Sequence, residues 1–163
     1  MASRMEFKKF SNGVAVPVVG IGTWHMGGEW NMPDRSNDKA EITAIKASIE
    51  MGMTHIDTAE GYGGGHAEEL VAKAIEGFER DKFFITTKVS GDHLSYENVI
   101  KSAEASLRRL KTDYVDLYLI HWPNHRIKME NTMKAMDFLV KEGLVKSIGV
   151  SNFSVPDMKE AQK

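Results

Sequence analysis

Four side chains that can move or direct a proton fall at the ends of three neighbouring β-rich runs. Asp57 lies near the end of the run 54–59, and Tyr62 follows it in the loop. Lys88 lies near the end of the following run, and His121 near the end of the one after that. The carboxyl ends of parallel strands meet at one edge of a sheet or barrel, so the sequence predicts that these groups share a site.

The residue types favour protonation of a carbonyl oxygen. Lys88 stands in "FFITTKV", where every other residue is apolar or hydroxylated, so a buried ammonium needs a partner, and Asp57 is the natural candidate. A free phenol, with a pKa of about 10, is a poor acid at neutral pH, and an adjacent ammonium makes Tyr62 a better one. His121, as a neutral donor, could hold the substrate oxygen. No side chain is an obvious nucleophile, which indicates hydride transfer from a cofactor.

Each of these residues, taken alone, also fits a structural role. An Asp at a strand end often forms a turn or caps a helix, a Lys extends to solvent, and a His before Trp-Pro packs as a structural histidine. One shared site explains all four positions, whereas structural roles require a separate coincidence at each strand end.

The elements that would position the site alternate between strand and helix from residue 18 onward. The predicted strands are "VVGIGTW" (18–24), "THIDTA" (54–59), "FFITTKV" (83–89), "YVDLYLIHW" (114–122) and "VKSIGVSN" (145–152). Four amphipathic helices lie between them, a rhythm typical of βα units with parallel strands and helices outside.

The helix boundaries are predicted from capping residues. The first helix begins near Asp38, with Glu41 completing a capping box, and ends at Gly52. A fifth begins at "SVPDMKEAQK", with Ser154 and Asp157 as its capping box. The predicted buried positions are Ile42, Ile45 and Ile49 in the first helix, Leu70, Val71, Ala74, Ile75 and Phe78 in the second, Val99, Ile100, Ala103, Leu107 and Leu110 in the third, and Met129, Met133, Met136 and Val140 in the fourth.

Two closures of the sheet are possible. An open doubly wound sheet usually carries a G-x-G-x-x-G loop after its first strand, and "GIGTWHMGGEW" lacks that spacing. A (β/α)8 barrel fits better, although it typically needs about 250 residues. We therefore predict an α/β fold, a partial TIM barrel of about five βα units. A β-hairpin in "FKKFSNGVAV" precedes it, with a tight turn at Asn12-Gly13.

Composition narrows the function further. The 163 residues carry a net charge of -2 with acidic and basic residues interleaved, so nucleic acid and anionic membrane are not the expected partners. The chain has no cysteine and no run of 18 apolar residues, which excludes thiolate chemistry and a Cys-based metal site and predicts no transmembrane span. No other metal site is expected. We expect a cytoplasmic protein and one domain over 1–163, with 1–4 ("MASR") as a vector-derived remnant.

The chain resembles the aldo-keto reductase superfamily. The blocks "GIGTW", "HIDTAEGYGGGHAEELVAKAI", "ITTKV", "SLRRLKTDYVDLYLIHWP" and "GLVKSIGVSNF" are similar to that family's signatures and occur in the same order. The resemblance places the family's catalytic tetrad on Asp57, Tyr62, Lys88 and His121. It implies reduction of aldehydes or ketones by NADPH (or NADH).

The same resemblance implies binding residues. Ser151 and Asn152 would bind the nicotinamide carboxamide, and Gly22, Thr23 and Asp57 would approach its ribose. Trp24 and Trp122 would line the carbonyl pocket, although aromatic packing alone would also explain them. The triple glycine Gly63 to Gly65 is predicted to be a flexible loop.

The resemblance covers an incomplete barrel. The family's sixth to eighth strands, which supply most contacts to the dinucleotide, have no counterpart here, so we expect a truncated reductase with impaired cofactor binding. Its unpaired edge strands predict self-association. The alternatives are a non-catalytic binding or regulatory protein on the same scaffold, and a hydrolase using Asp57 and Glu60 as a carboxylate pair.

Overall fold

A computed structural model describes residues 5–11 and 13–163. Its strands are β1 (Phe7–Lys9), β2 (Ala15–Pro17), β3 (Gly20–Gly22), β4 (Gly28–Glu29), β5 (Met32–Pro33), β6 (His55–Asp57), β7 (Phe84–Val89), β8 (Leu117–Ile120) and β9 (Ile148–Val150). Its helices are α1 (Asp38–Glu50), α2 (His66–Ile75), α3 (Tyr96–Leu110), α4 (Met129–Lys141) and α5 (Val155–Ala161). Strands and helices alternate from β6 onward, as the sequence predicts.

The central sheet is parallel, with the strand order β3-β6-β7-β8-β9. The register places Gly22 opposite Asp57 and Asp57 opposite Thr86. Lys88 lies two residues beyond Thr86, and side chains alternate along a strand, so Asp57 and Lys88 project from the same face. The order and the parallel direction confirm the predicted partial barrel.

The helices pack on the other face of the sheet and enclose the main core. Consecutive helices contact each other, from α1 with α2 through to α4 with α5. The core includes Ile56, Leu70, Ile85, Ile120 and Met136, all fully buried. This layer holds the strands in register and presents their carboxyl ends to the site.

Three helix predictions were wrong in detail. Val140 on α4, predicted to be buried, is 37% exposed. Asp38 is the first residue of α1 and not its cap, because Asn37 holds that position without a side-chain bond. Glu41 instead accepts a hydrogen bond from the backbone N–H of Gly27, 2.9 Å away. Phe78 lies beyond the end of α2 and is 47% exposed, whereas the capping box of α5 is present as predicted.

The antiparallel hairpin of β1 and β2 is also confirmed, but its connection is longer than a two-residue turn. The strands end at Lys9 and resume at Ala15, and the N–H of Phe10 donates to the oxygen of Val14. Asn12 and the remnant predicted at 1–4 lie outside the described residues.

A second hairpin, β4 and β5, was not predicted. It lies between β3 and α1 and places Trp30 and Asn31 at its tip. No helix within the described ranges is long and apolar enough to cross a membrane.

Candidate active site

Lys88 is the centre of a buried hydrogen-bond cluster at the end of β7. Its side chain is 7% exposed, and Nζ lies 2.6 Å from Oδ1 of Asp57. The same nitrogen donates to the backbone oxygen of Thr58 at 2.9 Å and to Oη of Tyr62 at 3.2 Å. These three acceptors use all three donors of the ammonium, so its position is fixed by hydrogen bonds and by packing.

Tyr62 is held by its own loop. Its backbone N–H donates to the oxygen of Ala59, and its backbone oxygen accepts from Gly65 and Ala67 at the start of α2. The residue is 7% exposed, and Nζ of Lys88 lies 4.9 Å from the centre of its ring. The phenol therefore reaches the strand ends from a rigid turn.

His121 completes the cluster from the end of β8. Its backbone N–H donates to Val89 of the neighbouring strand, and its ring centre lies 5.6 Å from that of Tyr62. Burial, with a smaller effect from the Lys88 ammonium, lowers the pKa of His121 to about 4. The imidazole is therefore neutral at pH 7.

The Nδ1 atom of His121 is buried and has no hydrogen-bond partner among residues 5–11 and 13–163. A neutral imidazole carries one donor and one acceptor nitrogen.

Three indoles form the wall of a cavity above these groups. Trp24, Trp30 and Trp122 line it together with Tyr62 and His121, and its volume is about 360 Å³. The ring of Trp24 lies 4.8 Å from that of Tyr62. Two of the indoles, Trp24 and Trp122, are those predicted from the sequence, and they are about half exposed. An apolar wall around a few polar groups is typical of a small-molecule site.

The glycine run before α2 is a packed turn, so the expectation of a flexible loop was wrong. Gly63 and Gly65 are buried and have φ of 56° and 92°. A Cβ on Gly63 would lie 2.2 Å from the backbone oxygen of Gly27, and one on Gly65 would lie 2.5 Å from Nε of Arg109. The positive φ and the close contacts explain the choice of glycine.

The residues predicted to bind a nicotinamide differ in exposure. Thr23 is fully buried, and its N–H and hydroxyl both donate to the backbone oxygen of Asp57. A Cβ on Gly22 would meet nothing within 4 Å. At the far strand, Nδ2 of Asn152 donates to the oxygen of His121 and to Oγ of Ser151. Gly22 thus has open space beside it, whereas the Thr23 side chain is used in holding β3 against β6.

Glu60 does not join Asp57 as a second free carboxylate. Its side chain is 9% exposed and its Oε1 accepts from the N–H of Ser90 at 2.7 Å. The same oxygen lies 2.9 Å from Nδ1 of His93. Asp57 is itself paired with Lys88, so this geometry does not favour a carboxylate-pair hydrolase. Across the described ranges, no group of three or more His, Asp or Glu side chains is placed to hold a metal ion.

Parallel strands with outer helices, and an acid, an ammonium, a phenol and an imidazole at their carboxyl ends, define a barrel-type α/β protein with a polar site. The Aldo/keto reductase family model matches residues 18–163, and the chain belongs to that family.

Similar proteins include the methylglyoxal reductase YeaE of Escherichia coli (strain K12), 45% identical over 93% of this chain and 51% of the relative. The glyoxal reductase of Bacillus subtilis (strain 168) is 39% identical over 95% of this chain and 52% of the relative. The chain thus spans about half the length of these relatives.

Solved structures similar to this chain are also aldo-keto reductases, and the chain again covers only part of them. A thermostable aldo-keto reductase crystallised with the inhibitor epalrestat has a TM-score of 0.93 and 49% identity, covering 96% of this chain and 57% of that one. An aldo/keto reductase from Klebsiella pneumoniae, in complex with NADP and acetate, has a TM-score of 0.87 and 39% identity, covering 98% of this chain and 54% of that one.

Proposed function

We propose that this polypeptide carries the proton-transfer half of an NADPH-dependent carbonyl reduction, converting aldehydes or ketones to alcohols. The observation that carries the proposal is the contact of the Lys88 ammonium with both Asp57 and Tyr62 beneath an apolar cavity. A phenol that has lost its proton is negative, and an ammonium 3.2 Å away stabilises that charge.

In this proposal the carbonyl oxygen of the substrate lies between Tyr62 and His121. His121 is neutral, so it donates one hydrogen bond without adding a charge, and orients the oxygen toward the phenol. Tyr62 gives its proton to that oxygen, and Lys88 stabilises the phenolate that remains. Asp57 holds Lys88 in place.

A reduced nicotinamide, when bound, supplies the hydride that the carbonyl carbon receives. Ser151 and Asn152 would hold its carboxamide, and Gly22 and Asp57 would face its ribose. NADPH is favoured because aldo-keto reductases similar to this chain were solved with NADP or NADPH. We expect weak affinity for the 163-residue chain, because it spans about half the length of these relatives and the family resemblance implies most dinucleotide contacts outside the shared half.

The substrate proposal is a reactive aldehyde or ketone, supported by the names of relatives such as methylglyoxal reductase and glyoxal reductase. A cytoplasmic location, where NADPH is supplied, belongs to the same proposal.

The test is to purify the 163-residue chain, titrate it with NADPH by fluorescence, and follow NADPH oxidation in the presence of methylglyoxal. Saturable NADPH binding, together with NADPH oxidation that requires Tyr62, supports the proposal. Binding of neither cofactor nor substrate would overturn it and would favour a regulatory role for the scaffold.

We also propose that the chain self-associates through its two outer sheet edges. Among the described residues, β3 and β9 each pair with one neighbour only, and Val18 and Val19 before β3 are 43% and 50% exposed. An unpaired parallel strand offers N–H and C=O groups to a second copy, and pairing β3 of one copy with β9 of another continues the sheet in the parallel sense. Sedimentation velocity at several concentrations tests this, and a monomer at all of them would overturn it.

A further inference from the structure

Trp30 is tied to the loop that carries Tyr62. It stands at the tip of the β4–β5 hairpin and forms an isolated antiparallel bridge with Tyr62. The N–H of the next residue, Asn31, donates to the backbone oxygen of Gly61 at 2.9 Å. The hairpin tip therefore has a fixed position relative to the phenol.

The indole of Trp30 fits a space that only glycine leaves open. A Cβ on Gly61 would lie 2.6 to 2.8 Å from three carbons of the indole. The ring centre lies 5.3 Å from that of His121, 6.0 Å from that of Trp24 and 6.3 Å from that of Tyr62. Trp30 thus contacts both proton-handling rings and one wall of the cavity.

Trp30 also separates two cavities. The inner one, of about 360 Å³, lies over Tyr62 and His121. The outer one, of about 520 Å³, is lined by the loops after β7 and β8, and Trp30 and Trp122 line both. The outer cavity has polar walls that include Asn124.

We propose that Trp30 is a specificity-determining residue that selects carbonyl compounds bearing an aryl group next to the carbonyl. The inference rests on the proposed carbonyl reduction. With the carbonyl oxygen between Tyr62 and His121, the group on the carbonyl carbon lies among three indoles. A flat ring packs against them in offset or edge-to-face contacts, whereas a methyl group leaves most of that surface in water. Substituents on the ring reach the polar outer cavity.

The test uses phenylglyoxal and methylglyoxal, which share the same dicarbonyl group and differ in the phenyl or methyl beside it. We expect wild type to have the higher kcat/KM for phenylglyoxal. Trp30→Ala should lower that preference at least about tenfold, whereas Trp30→Phe keeps most of it. Met32→Ala is the matched control, since Met32 lies in the same hairpin, is 63% exposed, and lines neither of these cavities.

A second measurement separates this inference from the reaction itself. Saturation-transfer NMR compares the binding of two unreactive carbonyl compounds, benzamide and propanamide, without cofactor. Preference for benzamide that Trp30→Ala abolishes supports the inference even where neither glyoxal is reduced, a result that would refute only the reaction. Equal binding of the two amides by wild type, or an equal loss of both in a Trp30→Ala protein with unchanged circular dichroism, would overturn it.

Discussion

The ammonium of Lys88 donates a hydrogen bond of 3.2 Å to the phenol oxygen of Tyr62. An ammonium has donors only, so the Tyr62 oxygen accepts this bond and its own O–H remains available to another acceptor. The phenol opens to the cavity that His121 also lines. The geometry therefore places a proton donor where a carbonyl oxygen fits, with a positive charge behind it.

The substitution Tyr62→Phe removes the proposed proton donor and keeps the ring. Proton transfer by a positioned acid contributes about 10²- to 10⁴-fold to a rate, so we expect a loss of that size in kcat. Steady-state assays with methylglyoxal measure it, and NADPH binding should persist. Tyr96→Phe, at the start of α3, is the matched control and should keep wild-type activity. Reduction at the normal rate by Tyr62→Phe would contradict the assigned role.

The neutral state of His121 predicts a pH effect on stability. The pKa is about 4 in the folded chain against about 6.5 in the unfolded chain, so the unfolded chain binds the proton first as pH falls. The stability that depends on a neutral His121 is therefore fully present above about pH 6.5 and is lost as the pH falls toward 4. Between pH 7 and pH 4 the free energy of unfolding of wild type should fall by on the order of 2–3 kcal/mol more than that of His121→Gln.

Urea unfolding of both proteins across that pH range measures this difference. NMR titration of the imidazole gives the folded pKa directly. A midpoint near 6.5 would contradict the prediction, since the ring would then be free to charge in the folded state.

The buried ion pair between Glu68 and Arg109 is predicted to stabilise the fold. Its side chain is fully buried on α2, where it accepts from Nε of Arg109 at 2.6 Å and from Oγ1 of Thr87 at 2.6 Å. Thr87 precedes Lys88 in β7. Arg109→Met leaves this carboxylate buried and without its ion-pair partner, and we expect a loss of about 3–5 kcal/mol in the free energy of unfolding.

Arg108→Met is the matched control for Arg109→Met. Arg108 is 71% exposed and its Nη1 lies 4.0 Å from Glu104, so the expected change is below about 1 kcal/mol. Equal effects of the two substitutions in urea unfolding would show that the Glu68 pair does not stabilise the fold.

Alanine substitutions at two glycines with positive φ distinguish the cost of backbone strain from the cost of a steric contact. Gly77 has φ of 88° and open space where a Cβ would lie, so Gly77→Ala should lower the free energy of unfolding by about 1–2 kcal/mol. Gly63 has φ of 56°, and a Cβ there would also collide with the backbone oxygen of Gly27. Gly63→Ala should therefore lower the free energy of unfolding by more than Gly77→Ala does. Urea unfolding measures both, and near-UV circular dichroism should report displaced indoles for Gly63→Ala only. Equal costs would contradict the packed turn.

Much of the scaffold follows from the sequence because each element carries its own periodic signal. The apolar spacing of α2 to α4 and the β-rich runs of β7 and β8 are long enough to be read locally. The predictions that were wrong concern residues whose local preference is overridden by a contact with a distant part of the chain. Glu41 could cap its own helix, yet it bonds to Gly27, and the glycines at 63 and 65 pack against residues far along the chain.

The β4–β5 hairpin lacked any usable local signal. Its strands have two residues each, too short to show an alternating pattern, so Trp30 was not recognised beside Trp24 and Trp122. The sequence offers Asn31, a residue type that tolerates the positive φ of 55° that this turn adopts, and that alone does not specify a hairpin.

The sequence by itself determined which residues stand at the strand ends, because strand period and helix length fix where each element stops. The sequence alone therefore indicates Asp57, Tyr62, Lys88 and His121 as members of one site. The tertiary structure decided which groups are in contact: Lys88 with its three acceptors, Glu60 turned toward Ser90, and Trp30 laid over Gly61. Those contacts join residues far apart in the chain, and they depend on sheet register and packing, which no local pattern records.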